Sequence, residues 1–344
     1  MVDKGVVAPV RDTGARVLAP GLVYIDDAVH CGDEVFILSK DGTCVGARRS
    51  RVDAVTARTM KRGGIIRTRR NVPSSTIPGR ATWGDAVRAN EDVLNRAESA
   101  AVKFVQEVAG PTTLPKNVSY SDGKDSLATL LVVFKAVGTT PLLFADTGME
   151  FPETCANVDA VSQHYNAEVV RTSTQNQFWE MVEHDGPPAV NARWCCKTGK
   201  LDPDQHLILS RRGECLSFIG QRRYESISRA KRKRIWKNPN VRAQLCAAPI
   251  HNWTALHVWL YLMRKLAPNN TLYEHRLDRI GYFMCPSSDM ALIRMIEKDY
   301  PSLWRGWCQH PEVWQESHGL QKEWVWEGHW RHLEVRKNEE NQNC

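Results

Sequence analysis

The chain has 344 residues, 42% of them hydrophobic and 25% charged, enough for about two domains with separate cores. Forty-six lysines and arginines against thirty-nine acidic residues leave a net charge of +7, which suggests an anionic partner. Met1–Gly14, "MVDKGVVAPVRDTG", lacks the apolar stretch of an export signal, and the apolar run after Ser126 is broken at Lys135, short of the ~20 residues of a membrane span.

A membrane span and a disulfide framework are therefore not expected, and the ten cysteines read as thiols, metal ligands or redox centres of a cytoplasmic protein. The basic residues cluster. Gly46–Arg70 holds nine of them and Arg222–Arg242 nine more, with Glu225 the one acid in the second run. Two such runs favour nucleic acid or nucleotide phosphates over an ordinary solvated face.

In chain order, residues 1–72 alternate short β-type runs with turns at Gly32-Asp33 and Asp41-Gly42, which predicts a small β-barrel. "NVPSSTIPG", Asn71–Gly79, has the composition of a linker. Residues 73–110 comprise this linker and a helix over Asp85–Val108, whose Val87, Leu94, Ala97, Ala101, Phe104 and Val108 share one face. Residues 111–300 open with a strand, "NVSYS", a loop, an apolar helix ending at Gly138 and a second strand, "PLLFAD". That is a βαβ unit, so the fold class is α/β with parallel strands. Residues 301–344 form a helical tail with six of the twelve tryptophans. These are expected in the core, although stacking on bases is the alternative.

Six stretches resemble known families. "APGLVYIDDAVHCGDEVFILSKDGTCVGARRSRV" with the later Gly63-Gly64 is similar to a PUA domain, which implies binding to RNA, tRNA being the expected class. "SDGKDS", Ser121–Ser126, is not a Walker loop, because Val118 stands where the first glycine belongs and Asp125 follows the lysine. It resembles the S-G-G-K-D-S loop of the PP-loop ATP pyrophosphatases, with Asp122 in place of the first glycine. In such a loop, backbone amides at a helix N-terminus form an anion site and the lysine adds a point charge. "FADTGMEFPET", Phe144–Thr154, resembles the corresponding segment of the phosphoadenosine phosphosulfate (PAPS) reductase branch. Gly220, Arg222, Glu225, Ser226 and Arg229 match that family's G-x-R-x-x-E-S-x-x-R, and "PIHNWTALHVWLYL" and "NNTLYEHRLDRIGYFMCP" continue the match to Pro286.

The family resemblance carried by these motifs implies that the parallel sheet is doubly wound. It also implies a nucleotide site of Ser121, Asp122, Gly123, Lys124, Asp125, Ser126, Asp146, Thr147, Gly148, Glu150, Arg222 and Arg229. Glu150 is expected near the phosphates or Mg²⁺, with Lys124, Asp125, Arg222 and Cys196 as catalytic candidates. The implied ligand is ATP with Mg²⁺, or PAPS or adenylyl sulfate. The lysine favours ATP, since sulfonucleotide reductases commonly lack it in this loop. Relatives with a [4Fe–4S] cube hold it with a Cys-Cys pair and a later C-x-x-C. Cys195, Cys196 and Cys285 match three of those positions, and Tyr282 stands at the fourth. Three thiolates could hold a cube with one iron open, Cys215 or Cys246 could complete it, or the thiols could stay uncoordinated. The terminal Cys344 lacks the E-C-G-x-H setting of a reductase nucleophile. The expected activity is ATP-dependent sulfur transfer to an RNA base. The alternatives are a sulfonucleotide reductase and an RNA-binding protein with a degenerate loop, and a homodimer is the assembly considered.

Overall fold

The computed structural model describes residues 1–66 and 80–332 apart from 174, 212, 276, 278 and 289. Arg67–Arg70, the predicted linker and Cys344 lie outside the described residues. The chain divides into two compact units, residues 1–80 with 289–295, and residues 81–288 with 296–344.

The first unit starts with a helix that the turn-rich sequence did not announce, α1 (Lys4–Thr13). Asp3 caps it by accepting the Gly5 N–H at 3.1 Å, and it ends at Gly14 with φ 65°, a left-handed position suited to glycine. Then follow β1 (Val17–Leu18), β2 (Glu34–Leu38), β3 (Cys44–Arg49), α2 (Ala54–Thr59) and β4 (Gly64–Ile66). β2 and β3 form an antiparallel hairpin from Glu34↔Arg49 to Leu38↔Cys44, and β1 pairs antiparallel with β4. Val2, Val10, Val17, Ile37 and Ile65 make the core.

The second unit opens with two helices, α3 (Trp83–Ala89) and α4 (Glu91–Ala109), where one was expected. Thr82 and Asp85 close a capping box on α3, and Asn90 separates the helices. The most buried stripe of α4 runs Leu94, Glu98, Ala101, Val105, Ala109, so the seam turns about an acidic residue that hydrophobic patterning passes over. The sheet is built from β5 (Lys116–Ser119), β6 (Leu142–Asp146), β7 (Val169–Ser173), β8 (Cys215–Ile219), β9 (Ile235–Lys237) and β10 (Gln244–Ala247), in the order β7-β6-β5-β8-β10-β9. All pairs are parallel except β9 with β10 at one edge.

The helices are α5 (Lys124–Val137), α6 (Pro152–Tyr165), α7 (Gln175–Asp185), α8 (Trp194–Cys196), α9 (Asp202–Arg211), α10 (Ile227–Ala230), α11 (Ala255–Arg264), α12 (Met290–Asp299), α13 (Pro301–Ser317) and α14 (Glu323–Trp326). Alternate strand residues divide between two layers, as the two-residue period of a strand requires. Leu142 and Phe144 of β6 join Leu216 and Phe218 of β8 in the large core with α4, α5, α6 and α11, while Leu143 and Cys215 face Ile208 of α9. The sheet is therefore covered on both faces, which is the doubly wound arrangement.

Glu98 fastens the first layer. Its carboxylate meets Lys135 of α5 at 3.1 Å, Arg264 of α11 at 2.9 Å and Lys265 at 2.9 Å, and accepts the Tyr261 hydroxyl at 3.1 Å. In the helical tail, Trp304, Trp307 and Trp330 are buried, as expected of core residues. Among the described residues, no helix is long and apolar enough to cross a membrane.

Candidate active site

From β5 the chain runs out to β6 and β7, then returns to β8 on the other side of β5. The loops leaving the carboxyl ends of β5 and β8 thus diverge at a topological switch point, where open α/β sheets bind ligands. "SDGKDS" follows β5 and the Gly220–Arg229 stretch follows β8.

Asp122 has φ 57°, in the left-handed region that aspartate tolerates better than most residues, which explains how it replaces a glycine. Its carboxylate turns inward and is 2% exposed. It accepts hydrogen bonds from the Tyr120 hydroxyl at 3.1 Å, Asn157 Nδ2 at 2.7 Å and Asn270 Nδ2 at 2.6 Å. Burial nevertheless pushes its pKa up to about 6. Asp122 is therefore an anchor of the loop.

Gly123 precedes the first turn of α5, and the Leu127 N–H donates to the Gly123 carbonyl at 3.0 Å. The amides of Lys124, Asp125 and Ser126 consequently have no acceptor within the helix, the usual condition of an N-terminus that receives anions. The Lys124 N–H donates to the Tyr273 hydroxyl at 2.8 Å. Ser126 Oγ donates to the Gly123 carbonyl at 2.8 Å and accepts the Ser121 N–H at 3.3 Å.

Lys124 is 8% exposed, with Nζ 3.6 Å from Asp125 Oδ2 and 5.6 Å from the centre of the Tyr273 ring. Asp125 also takes a two-point bond from Arg222, Nε to Oδ1 at 2.7 Å and Nη2 to Oδ2 at 3.3 Å. This fork of a planar guanidinium on a carboxylate links the two diverging loops. Gly220 allows the approach: a Cβ there would lie 2.6 Å from the Asp125 carbonyl carbon and 2.8 Å from the Ser126 nitrogen. Glu225 accepts the Arg222 N–H at 2.8 Å and pairs with Arg229, so Arg229 sits one ion pair behind Arg222. Burial would raise the Glu225 pKa, but the Arg222 amide and Arg229 outweigh it and hold it below the ordinary value.

The loop after β6 is closed by its own side chains. Asp146 accepts the Gly148 N–H at 3.1 Å, and Gly148 has φ 77°. Glu150 accepts the Thr147 N–H at 2.9 Å, the Met149 N–H at 3.2 Å and the Thr147 hydroxyl at 3.0 Å. Its carboxylate is thereby turned onto its own loop.

The cysteine segment lies beside this loop. α8 passes into one widened π-type turn over Lys197–Leu201. A Cβ on Gly199 in that turn would lie 3.2 Å from the Tyr282 hydroxyl and 3.4 Å from Thr147 Cγ2. The Phe283 N–H donates to the Met149 carbonyl at 2.9 Å. Cys195 is held far above the ordinary thiol range by its neighbour Cys196, by burial and by Cys285. Cys215 and Cys246 belong elsewhere: both are buried in neighbouring strands, where burial and Cys215 push Cys246 up to about 12.

Tyr282 is 8% exposed, and burial, with Glu150 and the two adjacent thiols, raises its pKa far above the ordinary phenol value. A neutral buried phenol is not a thiolate, and among the described residues no group of three metal-ligating side chains is placed to hold an ion. The set does not fit a cube ligated at four corners.

Tyr120, Asn157, Asn270 and Tyr273 were not singled out from the sequence. Asn270 and Tyr273 lie in the "NNTLY" stretch, whose fixed spacing was the available signal.

The fold is an α/β doubly wound sheet with the Ser121–Ser126 loop at its switch point. Residues 115–288 match the phosphoadenosine phosphosulfate reductase domain and residues 1–72 the PUA domain. The chain belongs to the PAPS reductase-like family of the PP-loop superfamily, with an N-terminal PUA domain. It is similar to an uncharacterised protein of Methanocaldococcus jannaschii, 36% identical over 340 residues, covering 96% of this chain and 71% of that protein. An adenosine 5'-phosphosulfate reductase of Staphylococcus haemolyticus is 25% identical over 172 residues, covering 48% of this chain and 68% of the other. The solved PAPS reductase from Candida auris, in a phosphate complex, aligns with a TM-score of 0.44 at 20% identity, covering 56% of this chain and 95% of that one.

Proposed function

We propose that this protein activates an RNA base by adenylylation at the Ser121–Ser126 loop and exchanges the activated oxygen for sulfur, with tRNA as the substrate class. The observation that carries this is the placement of Lys124: nearly buried at the start of α5, beside the Asp125–Arg222 fork and the amides of the helix N-terminus. A cation there suits the β- and γ-phosphates of ATP, bound as its Mg²⁺ complex.

A base carbonyl oxygen attacks the α-phosphorus, the base loses its ring N–H proton, and pyrophosphate departs. Lys124 and Arg222 stabilise the charge that collects on the bridging and leaving oxygens. Sulfur presented as a persulfide on Cys196, which is half-buried where Cys195 is buried, then adds to the activated carbon, and AMP leaves. The S–S bond left to Cys196 is opened by Cys285, and an external dithiol reduces the resulting Cys196–Cys285 disulfide. No step uses an iron–sulfur cluster. The PUA domain supports RNA as the acceptor.

The test is exchange of labelled pyrophosphate into ATP with and without tRNA. Exchange that tRNA stimulates and Lys124→Ala abolishes is expected. Sulfite release from adenylyl sulfate with no such exchange overturns the proposal. That outcome would favour the reductase reading, to which the staphylococcal relative lends support.

A further inference from the structure

The second basic run leaves the site directly. Arg222 is bound to Asp125, and two residues later, at most about 7 Å along the chain, Tyr224 is 63% exposed. Ile227, on the short helix that follows, is 79% exposed. Around them the cations divide into two sets. Arg222, Arg229, Arg232 and Arg234 are engaged: Arg229 pairs with Glu225, Arg232 donates to Gln221 Oε1 at 3.4 Å, and Arg234 lies 3.7 Å over the Phe104 ring and donates to the Pro249 carbonyl at 3.0 Å. Arg223, Lys231 and Lys233 are exposed and form no ion pair among the described residues. Arg223 lies 5.7 Å from the Tyr224 ring centre. Glu225, the only acid between Arg222 and Arg242, is already neutralised by Arg229.

A charged rim guarding a sheet edge would account for Lys237, which lies on the outermost strand β9. It does not account for Lys231 and Lys233, which precede that strand, nor for a large aromatic and an isoleucine left in water among them. Uncompensated cations interleaved with an exposed ring are the pattern of a single-strand platform, in which charges follow the phosphates and the ring stacks on a base.

We propose that the segment Arg223–Lys233 is a second polynucleotide contact, built into the PP-loop unit itself. It holds a single-stranded stretch of RNA, with a base on Tyr224 and phosphates on Arg223, Lys231 and Lys233, at the mouth of the site. This rests on RNA being the substrate of that site.

The experiment is fluorescence anisotropy of a labelled single-stranded oligoribonucleotide with the full chain across a salt series, run beside tRNA-stimulated pyrophosphate exchange. Each cation contributes about 0.7 to the slope of log K against log salt on a single strand, so Arg223→Ala/Lys231→Ala/Lys233→Ala should lower that slope by roughly 2. Tyr224→Ala should weaken binding about tenfold, and Tyr224→Phe should not. The charge-keeping variant Arg223→Lys/Lys231→Arg/Lys233→Arg should bind as the parent does. ATP binding should be unchanged in all of them, while the exchange that tRNA elicits is lost in the triple alanine variant.

If the triple alanine variant keeps the parent slope and the stimulation, the segment is only a solvated face, and sulfur transfer to RNA stands without it. Binding of polyglutamate that equals RNA binding and ignores Tyr224→Ala reassigns the surface to an acidic protein and overturns the proposal. A parent chain that binds no RNA removes the RNA substrate altogether, and this contact with it.

Discussion

Gly220→Ala isolates the junction on which the site depends. The new methyl would sit 2.6 Å from the Asp125 carbonyl carbon, 2.7 Å from its oxygen and 2.8 Å from the Ser126 nitrogen, where ordinary contact starts at 3.4 Å. About 0.8 Å must therefore be found, and from peptide atoms of the α5 first turn rather than from a swinging side chain. Gly220 is not among the positive-φ glycines, so the cost is purely steric. Overpacking of this kind costs roughly 1–3 kcal/mol, read as a lowered urea midpoint with unchanged m. A displacement near 1 Å at a reacting centre costs about 10²-fold, so pyrophosphate exchange should fall by that order. Gly123→Ala is the contrast, because its methyl would meet only the Tyr273 hydroxyl at 3.6 Å and Ser121 Oγ at 3.8 Å. That variant should fold as stably as the parent and lose nucleotide affinity, since the methyl would project at the anion loop. The reasoning is refuted if Gly220→Ala retains both its urea midpoint and its exchange rate.

Three further outcomes are expected. Arg222→Ala leaves the Asp125 carboxylate, 18% exposed, without its two-point partner, and should cost about 3–5 kcal/mol in urea unfolding, with Arg222→Lys recovering only part. Asp122 has a folded pKa of about 6, above its ordinary 3.8, so the native state holds the extra proton and this group makes the protein more stable as pH falls from 6 to 4. Relative to Asp122→Asn, the parent should gain up to about 3 kcal/mol over that window by urea titration, and a constant difference between the two would contradict the burial of the charge. Tyr282→Cys completes the four-cysteine pattern, so reconstitution with iron and sulfide should give a brown protein with about four irons per chain where the parent stays colourless. Equal iron uptake by the two would show that the phenol does not decide the matter.

The α/β core was legible because its signals are local. The apolar run of α5 lies between two β-type segments, and Gly138, with φ 83°, ends the helix as its position in the sequence implied. The paired loops were legible as spacings, "SDGKDS" and "DTGMEFPET", each at a strand end. What stayed hidden were contacts between distant residues. Nothing near Asp122 announces that Asn270, 148 residues later, will hold its carboxylate, or that Tyr273 will accept the Lys124 amide. The split between α3 and α4 was missed because Asn90, where the backbone leaves helical geometry, has no glycine or proline beside it to mark the break. The buried Glu98 on the face of α4 is satisfied by Lys135, Arg264, Lys265 and Tyr261 from other elements. α1 was missed for a different reason: Pro9 within it argues against a helix, and the Asp3 and Gly14 caps outweigh that signal.

The inward-facing carboxylate of Asp122 has one more consequence. Residues from β5's exit, α6 and the "NNTLY" turn hold the Asp122 side chain, and through it the loop, from behind, so the shape of the loop is set without a ligand. A receptor frozen in advance loses little chain freedom on association, which should appear calorimetrically as a small entropic penalty. It should appear also as slow deuterium uptake at Gly123 and Lys124 in the ligand-free protein, already close to the rate measured with ATP added.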